Sequence, residues 1–401
     1  MGLKHTAAHV TAMLVALLLI AAPAARAATP PGPPASGPGS EASLPWGAVK
    51  RVDHAFADAA LNYSTFEPAG WRGAGAAPSS APLVVFLHGY LGYDPKYYAT
   101  WLDHIVRQGN VVVFPNYQAH ALTPPRQFTD NAIWSVKSAL PWLAANATVK
   151  PDTAQGMVLA GHSYGGVVSA NLAARAAAQG LPRPRSLFLV MPWHQTIDTS
   201  LGAIPSTTKL LCVVGDNDTM AGRQGCDTLW DKTAHIPAAN RNYVLMRSDA
   251  HGTPALDASH RVPSDADAAG FDALDWHGIW KLSDGLRNCA LLGTDCRYAL
   301  GNTWEQTFMG RWSDGTLVRQ LWVYTTKPAD PFPDARPPSG PAPAGAQAAS
   351  KPRRDSARKA CRRAARSMPG TTIDRARGAA RRAGCALRVV SRHGEQLAVT
   401  D

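Results

Sequence analysis

The stretch that most constrains the fold is 156–168, which reads Gly-Met-Val-Leu-Ala-Gly-His-Ser-Tyr-Gly-Gly-Val-Val. Its apolar run at 157–160 favours a short buried strand, and the small residues at 166–177 favour a helix. A strand and a helix joined by a tight, glycine-flanked turn present the residue at the apex in a strained conformation, clear of the sheet. We therefore expect Ser163 to be a nucleophile; the alternative is an ordinary glycine- and serine-rich turn.

Short apolar runs alternate with helix-like segments through the middle of the chain. The runs expected to form buried strands are 83–87, 111–114, 157–160, 187–191, 210–214 and 243–246. Helices are expected to begin near Pro95, at Thr129 or Asp130, and directly after the serine turn. Continuous apolar strands separated by helices are typical of a mainly parallel central sheet with helices on both faces. The sequence therefore predicts the α/β fold class.

Composition divides the 401 residues into segments of different character. Lys4 and His5 precede a short apolar run, and Ala25-Arg26-Ala27 offers a small-residue cleavage site, as in a secretory signal peptide. That run is too short to span a bilayer, so we expect an exported protein with no transmembrane span in the mature chain. The predicted segments are a signal peptide at 1–27, a flexible linker at 28–45, the α/β domain at 46–326, a Pro/Ala/Gly-rich linker at 327–350 and a small basic module or tail at 351–401.

The formal charge of +11 is concentrated at the C-terminal end of the chain. Residues 351–401 hold 14 Lys and Arg but only 4 Asp and Glu, so the rest of the chain is close to neutral. On a flexible linker, such a cationic segment is suited to an anionic cell-envelope surface. No specific nucleic-acid partner is expected. The alternative is a solvated, arginine-rich tail without a partner.

Six cysteines fit an oxidising compartment. Six cysteines allow 15 pairings, and proximity in sequence favours Cys212 with Cys226, Cys289 with Cys296, and Cys361 with Cys385. No spacing typical of a zinc site is present, so no metal is expected.

A serine nucleophile needs a general base, normally a histidine held by a carboxylate. In a parallel sheet these partners follow later strands, in the order Ser, Asp, His. Gly215-Asp-Asn-Asp-Thr219 follows one predicted strand, and Ser248-Asp-Ala-His-Gly252 follows the next. The sequence therefore predicts Asp218 as the acid and His251 as the base.

Other residues compete for these two roles. Asp216 is the alternative acid, with a bracing role in the turn as its other interpretation. Asp249 lies too close to the predicted base along the chain to orient it. His277 is the alternative base, although it follows no strand, while His235 and His260 are expected to be exposed loop or helix residues.

The oxyanion formed during acyl transfer needs two backbone N–H donors. One is expected from Tyr164, directly after the serine, and the other from Tyr90, in the loop after the first clear strand. His88 and His162 are expected to be structural residues.

Aromatic residues lie near the expected strand ends. Tyr90, Tyr93, Tyr164 and Trp193 are candidates for an apolar substrate pocket, with ordinary packing as an equally supported alternative.

At these motifs the chain resembles the α/β-hydrolase superfamily, and within it the dienelactone-hydrolase-like, chlorophyllase-like and cutinase-like polyester hydrolase group. The motifs that carry the resemblance are Phe86-Leu-His-Gly-Tyr90, Gly161-His-Ser-Tyr-Gly-Gly166, Gly215-Asp-Asn-Asp-Thr219 and Asp249-Ala-His-Gly252. The resemblance implies hydrolysis of a small or polymeric carboxylic ester through an acyl-serine intermediate, without a cofactor. The chain departs from dienelactone hydrolases in having a serine at 163, and from cutinase-like enzymes in its His88-Gly89 loop.

Two other functions remain compatible with the sequence. One is a non-catalytic surface-binding protein built on a hydrolase fold. The other is an acyltransferase or peptidase that uses the same three residues.

Overall fold

The computed structural model describes residues 27–42, 44–266 and 270–339, together with the strands at 386–390 and 396–400. Within these residues nine strands form one sheet, in the order β1-β2-β5-β4-β7-β8-β9-β10-β11. The strands are β1 Trp46–His54, β2 Tyr63–Trp71, β3 Ser80–Ala81, β4 Leu83–Leu87, β5 Val111–Pro115, β6 Lys150–Pro151, β7 Met157–His162, β8 Pro184–Val190, β9 Lys209–Gly215, β10 Arg241–Met246, β11 Trp322–Tyr324, β12 Ala386–Val390 and β13 Gln396–Thr400.

The centre of the sheet is parallel and its edges are antiparallel. Each neighbouring pair from β5 to β10 is parallel, whereas β1, β2 and β11 run antiparallel to their neighbours. The helices are α1 Ala99–Arg107, α2 Phe128–Asn146, α3 Tyr164–Arg175, α4 Gln224–Lys232, α5 Lys281–Leu292 and α6 Trp304–Thr307, with a π-helix at Leu274–Trp280 leading into α5. The predicted strands and the predicted fold class are confirmed. No helix in the described residues is long and apolar enough to cross a membrane.

Each central strand contributes to two cores, because successive side chains point to opposite faces of the sheet. In β4, Leu83, Val85 and Leu87 join the core beneath α2 and α3, whereas Val84 and Phe86 join the core beneath α1 and α5. Both faces are therefore covered, which explains why the strands appear as unbroken apolar runs in the sequence.

Two of the predicted disulfides are confirmed. Cys212 in β9 is bonded to Cys226 in α4, and Cys289 in α5 is bonded to Cys296 in the turn that follows. Cys361 and Cys385 lie outside the described residues, as do residues 1–26 of the predicted signal peptide.

The segment after the predicted cleavage site is not a flexible linker, contrary to our expectation. The Ala28 side chain is buried, and the Ala28 carbonyl accepts a hydrogen bond from the Thr253 N–H at 2.7 Å. Further along, the Gly39 N–H donates to Asp284 Oδ2 at 2.9 Å. The Pro, Gly and Ser residues of this segment supply little apolar surface. Its backbone instead makes hydrogen bonds to the domain, which the composition does not reveal.

A buried charge cluster fastens this segment to the domain. His104 Nε2 lies 2.9 Å from Asp284 Oδ2, and its Nδ1 contacts the Glu41 carboxylate. Burial alone would lower the pKa of His104, but the two carboxylates outweigh it and raise that pKa to about 9. Burial likewise opposes the charge on Asp284, yet His104 holds the pKa of Asp284 below its usual value. The imidazolium therefore joins Glu41, in the N-terminal segment, to α1 and α5.

The second predicted linker begins too early. Arg223 donates hydrogen bonds to the carbonyls of Pro328 and Ala329 and stacks over the Phe332 ring at 4.3 Å. At the end of this stretch, the Ser339 N–H donates to the Asn302 carbonyl at 2.8 Å. Residues 327–339 thus pack against the α/β domain, although they form neither helix nor strand.

We predict that His104→Phe lowers the free energy of unfolding most at near-neutral and lower pH. Removing one partner of a buried ion pair costs about 3–5 kcal/mol. Because folding raises the pKa of His104 from 6.5 to about 9, its stabilising effect is complete below the first value and disappears as pH rises through the second. Denaturant unfolding across this pH range should show the wild-type and variant curves converging.

The matched control is His277→Phe. His277 is also buried, but burial lowers its pKa to about 4, so its loss should cost the same stability throughout that range. If the free energy of unfolding lost in His104→Phe did not change with pH, the conclusion that His104 is charged in the folded protein would be contradicted.

Candidate active site

The turn between β7 and α3 holds Ser163 in a conformation that L-residues rarely adopt. Its φ is +56° and its ψ is −122°, and α3 begins at the next residue. A Cβ on Gly161 would overlap the Gly165 carbonyl, and one on Gly165 would overlap the Leu87 carbonyl of β4. Both glycines are required because the backbones approach so closely. The turn therefore places the serine beyond the strand end, at the start of a helix.

Asp218 lies in the loop after β9, where its carboxylate is fully engaged. Oδ1 accepts hydrogen bonds from the N–H groups of Met220 and Ala221, and Oδ2 lies 2.9 Å from His260 Nδ1. Burial tends to raise the pKa of Asp218, but the bond to His260 and the two backbone bonds keep it below its usual value. The carboxylate is thus held in its charged form beside the histidine ring.

The expected pairing of Asp218 with His251 is corrected by the structure. His251 Nε2 bonds instead to Asp314 Oδ2 at 2.9 Å, and both side chains are exposed. An antiparallel bridge between Asp249 and Leu256 folds the chain after β10 back on itself. His251 therefore lies at the outer end of this hairpin.

His260 is the residue that the sequence analysis passed over. The chain that returns from the hairpin brings it back over the sheet, where it is 7% exposed. We expected it to be an exposed loop or helix residue because it follows no strand directly and stands in no recognisable motif. Its place follows from the path of the loop, which turns back at the Asp249–Leu256 bridge and brings the His260 ring to Asp218.

The other candidates have separate structural partners. Asp216 accepts bonds from both the N–H and the hydroxyl of Ser248, which ties the loops after β9 and β10 together. Asp249 accepts a bond from Trp312 Nε1 at 3.0 Å. His277, the alternative base, bonds to the Gly32 carbonyl. His235 bonds to the Ile204 carbonyl.

The loop after β4 lies directly against the serine. A Cβ placed on Gly89 would be 3.3 Å from Ser163 Cβ. The N–H of Gly89 donates to the Tyr98 hydroxyl and that of Leu91 donates to Gln118 Oε1, both at 2.8 Å. The Tyr90 N–H between them has no acceptor among the described residues, and the Tyr164 N–H is the first of α3, where no intrahelical acceptor exists. Among the described residues, neither of the two backbone donors expected from the sequence is therefore engaged by an acceptor.

Beside the serine is an open cavity of about 400 Å³. Its lining includes Ser163, His260, Tyr90, Leu91, Tyr97 and Met220. Of the aromatic residues expected in the pocket, Tyr90 lines the cavity, and its ring lies 5.8 Å from that of Tyr164. Tyr93 and Trp193 are not among the cavity's lining residues in the described part of the chain, and Trp193 packs at the edge of the core.

Several other residues of the cavity carry no signal in the sequence. Leu91 and Met220 are apolar residues in loops, where no periodicity marks them, and Tyr97 lies in the short 3-10 helix Pro95–Tyr98 that precedes α1. Arg261, directly after His260, lines the same cavity.

No three His, Cys, Asp or Glu side chains come together as metal ligands in the described ranges.

Comparison with known families agrees with this architecture. Residues 84–257 match a family model described as an alpha/beta hydrolase fold. The matched range contains Ser163 and Asp218 and ends just before His260. No curated protein matches the chain. The sheet order and this match together show that the chain has the α/β-hydrolase fold, the fold of a superfamily whose members are typically hydrolases.

We predict that His260→Ala and Asp218→Asn each reduce turnover by about 10⁴-fold, the loss expected if these two residues act with Ser163 as one catalytic unit. His251→Ala and Asp216→Asn are the matched controls, since each changes the same residue type nearby. Both controls should retain turnover within about tenfold of wild type, because their partners lie outside the cavity. Initial rates on a soluble ester, with circular dichroism as a check on folding, measure the difference. Loss of turnover in His251→Ala with full activity in His260→Ala would reverse the assignment.

Proposed function

We propose that this protein is a serine hydrolase that cleaves carboxylic esters through an acyl-serine intermediate. The observation that carries the proposal is the Asp218–His260 pair, 2.9 Å apart, with its imidazole lining the same cavity as Ser163. The site has a residue for each role that acyl transfer requires: nucleophile, base, orienting carboxylate and two oxyanion donors.

In the proposed reaction, Ser163 Oγ attacks the ester carbonyl while His260 Nε2 accepts the hydroxyl proton. Asp218 holds the other ring nitrogen and stabilises the imidazolium. The N–H groups of Tyr90 and Tyr164 donate to the oxyanion. His260 returns the proton to the departing alcohol, and water then cleaves the acyl-serine by the same steps.

Ser163 Oγ makes no hydrogen bond to the His260 ring within the described structure. Such contacts in a site without substrate are commonly long and shorten when substrate binds. The lining of one cavity by both residues supports their cooperation.

The cavity favours an apolar acyl or alcohol group in an open groove. Tyr90, Leu91, Tyr97 and Met220 stand at its rim with exposed fractions of 44%, 41%, 37% and 57%. Exposed apolar side chains clustered at a cavity usually mark a binding surface. A small ester or one chain of a polymeric ester fits this open rim.

We predict that the purified protein hydrolyses p-nitrophenyl esters of short to medium acyl length without added metal. Ser163→Ala should lower turnover by about 10⁴-fold or more, because the nucleophile is lost. Ser169→Ala is the matched control, since this α3 serine bonds only to the Gly165 carbonyl in the described chain. Fluorophosphonate labelling of the wild type but not of Ser163→Ala separates an enzyme from a binding protein. Near-native turnover in Ser163→Ala would refute the proposal.

We further propose export and attachment to an anionic envelope surface through the basic segment 351–401. Two disulfides and the N-terminal sequence support export. The charge distribution supports surface attachment, since residues 351–401 have 14 basic and 4 acidic side chains.

We predict that a chain ended after Ser339 keeps full turnover on a soluble ester. It should lose salt-sensitive binding to vesicles of anionic lipid, which the full chain shows, because the basic segment is gone. Cosedimentation at low and high salt measures this binding. Ending the chain at 327 instead removes contacts to Arg223 and should reduce stability. Equal vesicle binding by both chains would contradict the role of the basic segment.

A further inference from the structure

A buried chain of hydrogen bonds connects the loop beside the serine to the loop that carries His260. The Gly89 N–H lies 2.8 Å from the Tyr98 hydroxyl, which lies 2.8 Å from His162 Nδ1. His162 Nε2 is in turn 2.8 Å from the backbone carbonyl of His260. Three elements of the site therefore meet at one imidazole, the residue directly before Ser163.

For a neutral His162 ring, only one arrangement of protons satisfies all of these contacts. A carbonyl can only accept, so His162 Nε2 carries the proton and donates to His260. Nδ1 is then an acceptor for the Tyr98 hydroxyl, whose oxygen accepts from Gly89. Burial holds the pKa of His162 well below its usual value, with the neighbouring His260 acting in the same direction. The neutral ring is thus fixed in one tautomer as a bridge between two loops.

Individual hydrogen bonds, rather than a helix or strand, hold the loop that carries His260. Between the end of β10 at Met246 and His260, the chain has no helix or strand beyond the bridge at Asp249. The Asp218 contact fixes the His260 side chain, whereas the His162 contact fixes its main chain. These two contacts, one to the ring of His260 and one to its backbone, together set the direction in which His260 Nε2 points.

We propose that His162 is a positioning residue, which with Tyr98 sets the distance between the oxyanion loop and the base. This inference rests on the proposed hydrolase function, since it gives His162 a role within that same site. His162 does not transfer a proton in the reaction. Its contribution is to hold the main chain of His260 and, through Tyr98, the N–H of Gly89 beside the Tyr90 donor.

Asn and Gln at position 162 distinguish the contact with Tyr98 from the contact with the His260 carbonyl. Both side chains end in an amide, but the Gln side chain is one methylene longer. His162→Gln keeps a donor close to the His260 carbonyl, and His162→Asn keeps only an acceptor close to Tyr98. We expect kcat to fall by about 10²-fold in His162→Asn, since a displacement of about 1 Å at a reacting group costs that much. His162→Gln should recover most of this loss. KM should change by less than about twofold in both variants, because none of the exposed rim side chains Tyr90, Leu91, Tyr97 and Met220 is substituted.

Tyr98→Phe gives a second test, because it removes only the buried hydroxyl that contacts the Gly89 N–H and His162 Nδ1. It should lower kcat, and the combination with His162→Asn should lower kcat by less than the product of the two separate effects, because both break one bridge. His277→Asn is the control for loss of a buried histidine, since His277 donates to the Gly32 carbonyl away from the cavity. It should lower the melting temperature without changing kcat.

Folded His162→Asn and Tyr98→Phe proteins with native kcat would overturn the inference. So would an equal loss of kcat in His162→Gln and His162→Asn, because the bond to His260 would then not matter. If Ser163→Ala keeps its turnover, the proposed function fails instead, whatever the variants at 162 show. Should His162→Asn not fold, Tyr98→Phe alone decides the matter by its kcat.

Discussion

The site depends on the close backbone contact between the turn at Ser163 and its neighbouring strands. No side chain fits at Gly161 or Gly165, and Ser163 itself adopts a φ of +56°. Such strain persists only when the surrounding structure holds it in place. Here the parallel strands β4, β7 and β8 and the start of α3 provide that support, with Ser163 N–H donating to Val190 of β8.

The described residues include two buried carboxylate–histidine pairs in different places. Asp218 with His260 lies at the cavity, and Asp284 with His104 fastens the N-terminal segment to α1 and α5. In both pairs burial opposes the charge on the carboxylate, and the histidine offsets that cost. A carboxylate next to a histidine therefore does not identify a catalytic site by itself; the cavity that contains Ser163 distinguishes one pair from the other.

The segments outside the sheet contribute more to the domain than their composition indicates. The Ala28 carbonyl attaches the N-terminal segment to the loop after β10, and Arg223 attaches residues 328 and 329. The loop after β10 thus has contacts from the N-terminal segment as well as from the sheet. Because that loop also carries His260, the contact of Ala28 with Thr253 bears on the position of the proposed base.

The sequence alone predicted the strands, the serine turn and the two disulfides between cysteines close along the chain, and it favoured Asp218 over Asp216 as the acid, which stays a prediction. Each of these depends on local pattern or short separation: unbroken apolar runs, paired glycines and cysteines close along the chain. Tertiary structure alone decided which histidine meets Asp218, because the bridge between Asp249 and Leu256 turns His251 outward and returns His260 to the sheet. A loop's path depends on backbone contacts with distant segments, and the order of residues along a chain does not encode such contacts in any local pattern.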